Sequence, residues 1–305
     1  MDTILGISFG FCTAFSQALS YIFSGFAVRR HGNLGTIGIL ARTHIFIAIV
    51  SLLTLPFFWT PKLLGNAAVY LPPTIMGILS YLIGQSGLLL AQRKIDASRV
   101  VPFLGIKLVF LALINCLILR NASYSLIQWI ALAMTIFSAF LINKAGKSMS
   151  WQSIFWLCIT CAGYSVSDTY MHRLMAALQS IGIDHTLHCA MLSSILANTT
   201  AGMAALVVML FVPKANDWQV WRCTSPFGFF WMVAMMFLYA CFAKIGTVNG
   251  NIIQNTRGII VILLSLLLVK LGFTELEEKV SAIIVIKRLL AAAIMLAAII
   301  MFNVS

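Results

Sequence analysis

Apolar residues run along this chain in continuous blocks, each closed by a short polar or basic break. The blocks are about twenty residues long, the length an α-helix needs to cross the hydrocarbon core of a bilayer. Strands of a membrane barrel would alternate apolar and polar residues, and these runs do not. The pattern predicts spans over 4–27, 35–57, 70–92, 99–119, 124–142, 151–174, 187–211, 226–244, 250–270 and 282–303. The breaks, among them FWTPKLLGN, NKAGKSMS and VPKANDWQVWRCTSP, carry the proline, glycine, asparagine and lysine that end helices. Trp59, Trp151, Trp218 and Trp221 fall at span ends, as an interfacial aromatic belt requires.

Two stretches recur at nearly one offset. AFSQALSY (Ala14–Tyr21) aligns with GYSVSDTY (Gly163–Tyr170), and KIDASRVVPFLGIK (Lys94–Lys107) aligns with KIGTVNGNIIQNTR (Lys244–Arg257). Either match alone is weak, and a shared offset makes a duplication the better reading. Five spans per half is an odd number, so the halves must lie in opposite orientations. The expected fold is an all-α membrane protein, one transmembrane domain of ten helices in two inverted five-helix repeats, residues 1–146 and 147–305.

Composition agrees. Apolar residues make up 61% and charged residues 9%, with a mean hydropathy of +1.00, which no water-soluble fold of this length could bury. The net charge of +12 sits in short loops, so nucleic acid is not an expected partner. Odd-numbered loops hold eleven basic residues (Arg29, Arg30, Arg93, Lys94, Arg99, Lys144, Lys147, Lys214, Arg222, Lys270, Lys279) against four in the even loops (Lys62, Arg120, Arg173, Lys244). That asymmetry places the odd loops in the cytoplasm and both termini outside, in a plasma membrane such as the bacterial inner membrane. The first segment is too long for a signal-peptide core and lacks a basic lead, so it is expected to remain as a span. The seven cysteines are scattered through spans and imply no disulfide framework.

Charge inside an apolar run is the main functional signal. Arg257 stands about eight residues, or roughly 10 Å, into the ninth span, and Lys107 is its repeat partner. An ionised side chain at that depth costs several kcal/mol unless it is paired, hydrated or snorkelling. One reading is a cationic pair in a watery cavity, holding an anionic or carboxylate-bearing substrate. The other is two long side chains reaching back to their nearer interfaces. Asn249, Asn251, Gln254 and Asn255 surround Arg257 at helical spacing, with Gly250 and Gly258 leaving room for a ligand or a neighbouring backbone. The same stretch also reads as a polar helix entry.

Asp168 is the one acid well inside a span, and in GYSVSDTYMHR it shares a helix face with Tyr164, Ser165, Thr169 and His172. Asp168 with His172 could exchange a proton and couple transport to a gradient; a static salt bridge from Asp168 to Lys107 or Arg257 is the alternative. The first span offers Ser16, Gln17, Ser20 and Tyr21, as cavity lining or as helix glue. Gln85, Asn115, Tyr81 and Tyr239 are further polar groups within spans. CITC (Cys158, Cys161) has the spacing of a redox pair without the context, and DHTLHC (Asp184, His185, His188, Cys189) reads better as a helix entry than as a metal site. No metal and no cofactor is expected.

The ten-span duplication, the first-span AFSQALSYIFS, the fourth-to-fifth region IDASRVVPFLGIKLVFLALINCLIL…SLIQWIALAMTIFSAFLI, IKRLLAAAIMLAAII at the tenth span and Arg42 in the second resemble the drug/metabolite transporter superfamily, in its EamA-like branch. Many members end the fourth span on a glycine–glutamate pair, where this chain has LRNASYS, and many keep their termini in the cytoplasm. The resemblance implies a carrier of small metabolites in which spans one, three, four, six, eight and nine line a central cavity and spans five and ten stand aside. It implies no ATP hydrolysis, and the chain has no GxxxxGK[ST] loop. The expected function is secondary transport of small polar metabolites, such as amino acids or organic anions, by alternating access, with a proton as candidate coupling ion. A membrane-embedded enzyme and a non-transporting scaffold or sensor are the competing classes. The expected partners are the substrate and the bilayer, for a monomer or homodimer.

Overall fold

A computed structural model describes residues 2–114, 116, 124–146, 148–212, 218–277 and 279–304. The end of the fourth expected span with Asn115, and the loop residues Arg120, Lys147 and Lys214, lie outside these residues. Every element among the described residues is helical. In chain order these are α1 (Asp2–Arg30), α2 (Gly35–Phe58), α3 (Ala67–Gln92), α4 (Ala97–Phe103), α5 (Lys107–Leu113), α6 (Leu126–Lys144), α7 (Trp151–Ser180), α8 (Thr186–Met209), α9 (Trp218–Asn255), α10 (Arg257–Lys270) and α11 (Ala282–Val304). Eight helices among the described residues are long and apolar enough to cross a membrane, and the protein is an all-α, multi-pass membrane protein. The other two expected ranges are occupied by α7, 30 residues long but dotted with polar groups, and by the short α4 and α5.

Three details differ from the expected continuous spans. The fourth is broken by a 3-10 turn at Leu104–Ile106. Pro102, which has no N–H to donate, and Gly105, whose absent Cβ leaves room for Met295, account for the break. The ninth is interrupted at Thr256, between α9 and α10. The eighth and ninth are joined by a kink at Gly246 (φ 79°, ψ 162°), a conformation open only to glycine, in place of a loop.

The helices pack in pairs, α1 on α9, α3 on α7, α2 on α8 and α6 on α11, while α4 packs on α10 and α5 on α7. Lipid offers no hydrophobic drive between helices, so close backbone approach and interhelical hydrogen bonds do that work. A Cβ on Gly163 would lie 2.7 Å from the Gly84 nitrogen and the Ser80 oxygen, so α3 and α7 meet backbone to backbone. Ser20 donates to the Phe227 carbonyl across α1 and α9 (3.1 Å), and Ser138 to the Ala291 carbonyl across α6 and α11 (2.6 Å). Ser24 and Gln92 tie α1 to α3: Ser24 Oγ donates to Gln92 Oε1 (2.7 Å), and Gln92 Nε2 donates to the Tyr21 carbonyl (2.9 Å). Other hydroxyls bond back to carbonyls of their own helices, as Thr43 does to Ile39 and Thr160 to Trp156, which removes the cost of burying them.

Candidate functional site

A cavity enclosing about 570 Å³ of empty space, its open mouth included, lies between α1, α3, α5, α7, α8, α9 and the start of α10. Its wall includes Gln17 and Tyr21 from α1, Tyr81 from α3, Lys107 from α5, Tyr164 and Asp168 from α7, Tyr239 and Gln254 from α9, and Arg257 from α10.

Both cations stand just after a helix break. Lys107 opens α5 behind the 3-10 turn, and Arg257 opens α10 behind Thr256. The breaks fall at the two positions that the internal alignment pairs. Interrupted helices of this kind bring backbone dipoles and side chains to the centre of many carriers.

The two cations have different surroundings. Lys107 Nζ forms an ion pair with Asp168 Oδ2, and both residues line the cavity. Arg257 is only 3% exposed. Its Nη1 donates to Gln17 Oε1 and reaches the Tyr21 hydroxyl at 3.5 Å. Its guanidinium lies 5.6 Å from the centre of the Tyr21 ring, a cation–π contact. Its Nε has no hydrogen-bond partner, and among the described residues no carboxylate forms an ion pair with it. Gln254 Nε2 donates to the same Gln17 oxygen (3.3 Å), and its own Oε1 is buried without a partner. The result is a buried cation held by neutral groups, with spare hydrogen-bonding capacity on both Arg257 and Gln254.

Other expected residues stand elsewhere. Ser20 is buried against Phe227 and acts as glue between α1 and α9. Gln85 is fully buried behind the wall, where its Oε1 accepts from the Tyr164 hydroxyl. Asn251 and Asn255 are outside the cavity wall, and Asn255 Nδ2 bonds the Asn251 carbonyl one turn back (2.7 Å). His172 is exposed and outside the wall, while Asp168 faces Lys107.

The cavity also has walls that were not expected. Trp231 packs against Tyr21, Tyr81 and Tyr164 with ring centres 5.9, 5.4 and 6.1 Å away, which makes an aromatic wall beside Arg257. Asn198, Ser167 and Met235 complete the wall from α8, α7 and α9. Among the described residues no cluster of three His, Cys, Asp or Glu could hold a metal ion. In DHTLHC, His185 caps α8 by accepting from the His188 N–H, and His188 Nε2 meets the Phe58 carbonyl (2.7 Å).

The sequence profile of the EamA-like transporter family matches residues 4–144. No curated protein matches the chain. A solved structure titled only "Crystal structure of protein" is similar over 95% of both chains with a TM-score of 0.57 and 13% identity, and at that identity it shows a shared fold alone.

Proposed function

We propose that this chain, a membrane protein of the drug/metabolite transporter type by the match of residues 4–144 to the EamA-like transporter family, is a secondary carrier of small organic anions or amino-acid-like metabolites. The observation that carries the reading is Arg257. An uncompensated cation this deep costs several kcal/mol, and a site keeps such a group when a ligand supplies the counter-charge. Lys107 is neutralised by Asp168, so the cavity's excess positive charge sits on Arg257. The aromatic wall of Tyr21, Tyr81, Tyr164 and Trp231 suits an apolar or flat part of the same ligand.

Transport needs the cavity to face each side in turn. The helix pairing supports a two-fold design for it. In span numbering the most extensive pairs are one with eight, three with six, two with seven and five with ten, while the fourth span divides between the ninth, through α4, and the sixth, through α5. Adding five to every span of the four most extensive pairs returns the same four, as residues 1–146 and 147–305 folded as inverted repeats would require. One half would then rock against the other around the central site.

Thermal unfolding of the purified protein tests the reading, with anionic, zwitterionic, neutral and cationic metabolites on wild type and Arg257→Gln. Anions or zwitterions are expected to stabilise wild type, with at least tenfold weaker apparent affinity in the variant, the loss that goes with one charged hydrogen bond at about 1.5–3 kcal/mol. Stabilisation by cations, or an equal response in the variant, would overturn the assignment of Arg257 to the substrate.

A further inference from the structure

At the face of the molecule that carries Arg29, Arg30 and Arg99, a second polar cluster joins the two halves. Its centre is Glu277, in the connection between α10 and α11, and only 2% exposed. Glu277 Oε1 accepts from the backbone N–H of Ala97 (3.0 Å), and Oε2 accepts from the Ser98 hydroxyl (3.0 Å), so a carboxylate from the second half caps the start of α4 in the first. Ser98 Oγ in turn accepts from Arg288 Nη1 of α11 (2.7 Å). From α1, Arg29 spans the seam: it pairs with Asp96 (3.2 Å) and donates to the Leu276 carbonyl (2.6 Å). Arg30 pairs with Glu275 (2.8 Å) at the rim. A small cavity lined by Ser98, Ser265 and Arg288 adjoins the cluster, and Ser265 Oγ is buried there without a partner, so the space is polar enough to take water.

We propose that Glu277 is the proton-binding group of a gate that closes this face. The inference rests on the alternating-access reading above, because a seam between halves must part for the cavity to open on this side. The capping bonds from Glu277 hold the α10–α11 connection on the start of α4 and must break as it parts; the protonated acid keeps the Ala97 bond through Oε1 and turns the other around, Oε2–H donating to Ser98 Oγ. Among the described residues, the charged groups around Glu277 are Arg29 from α1, Asp96 ahead of α4 and Arg288 from α11. Burial raises the Glu277 carboxyl to about 7, with Asp96 adding to the rise and Arg29, Ser98 and Ala97 opposing it. Once the seam opens, water returns the group to its ordinary value of 4.5. The closed form therefore binds a proton more tightly than the open form. Closure is fully supported below the lower value and loses that support as the pH rises through the higher one. Opening releases a proton to this face, and the shift in the open-to-closed ratio across the window reaches about two orders of magnitude.

Hydrogen–deuterium exchange on the full-length protein in lipid nanodiscs, without substrate, reads the gate directly. After correction for intrinsic exchange rates, segments 96–101 and 273–277 of wild type are expected to exchange more freely at pH 8 than at pH 5.5. Glu277→Gln, which resembles the protonated acid, is expected to stay protected at both values. Glu277→Ala, which removes the cap, is expected to exchange freely at both. Wild type without pH dependence, Glu277→Gln with the wild-type response, or Glu277→Ala protected throughout would each overturn the proposal. Because no substrate is present, failure here leaves the Arg257 reading standing, and failure of ligand stabilisation leaves the gate standing.

Discussion

Lys107 and Arg257 occupy one cavity, and their immediate partners separate them. Lys107 has a counter-ion, while Arg257 has an amide, a phenol and a ring face. Removing one member of a buried pair leaves the other uncompensated, which costs more than removing both. Asp168→Leu and Lys107→Met are therefore each expected to lower stability by about 1–3 kcal/mol, since the carboxylate is partly exposed, and the two together are expected to recover most of that loss. Thermal unfolding of the two single variants and the double checks it, and simple additivity would show the pair to be uncoupled. The ionisable members of the cavity were legible in the sequence because a charge inside an apolar run is costly and stands out against its neighbours. Trp231 and Asn198 were not. A mid-span tryptophan reads as one more apolar residue, and an asparagine among small polar neighbours, as in LANTT, reads as helix glue. The Asp168/His172 spacing was real, yet it fixes only a shared side of one helix. Which part of that side meets the cavity depends on what packs opposite, and the structure puts Lys107 against Asp168 and leaves His172 exposed.

At the scale of elements, the spans were readable from length and apolarity, and their interruptions were readable only in part. Pro102 and Gly105 mark the fourth-span break after the fact. Nothing of that kind stands at Thr256, where the backbone turns and Arg257 begins a new helix. Partner choice was still less legible. Helices apolar on all sides present no preferred face, so the decision rests on small residues at a few crossings. Gly163 against Gly84 is an approach of backbone to backbone between α3 and α7. A methyl there would meet backbone atoms at 2.7–2.8 Å, and backbone cannot yield as a side-chain tip can. Gly163→Ala is expected to cost about 1–3 kcal/mol and to reduce recovery of folded protein from the membrane. Ser153→Ala, in a small hydroxyl-to-hydroxyl contact near the start of α7, serves as the milder comparison. Equal recovery of the two variants would show that the crossing has slack.

For the whole molecule, the aligned stretches led to an expectation of two inverted halves, but not that every principal helix pair would join residues 1–146 to residues 147–305. Residues 1–146 and 147–305 thus make their most extensive helix contacts with each other. Chains 1–146 and 147–305 made as separate polypeptides are expected to be degraded when expressed singly and to assemble when co-expressed, with ligand stabilisation restored. A stable half on its own would contradict the pairing. The ordering of synthesis then matters. The first half leaves the ribosome with its matching surfaces uncovered and must persist in the lipid until the second is inserted, a window in which the membrane's proteases and insertases decide its fate.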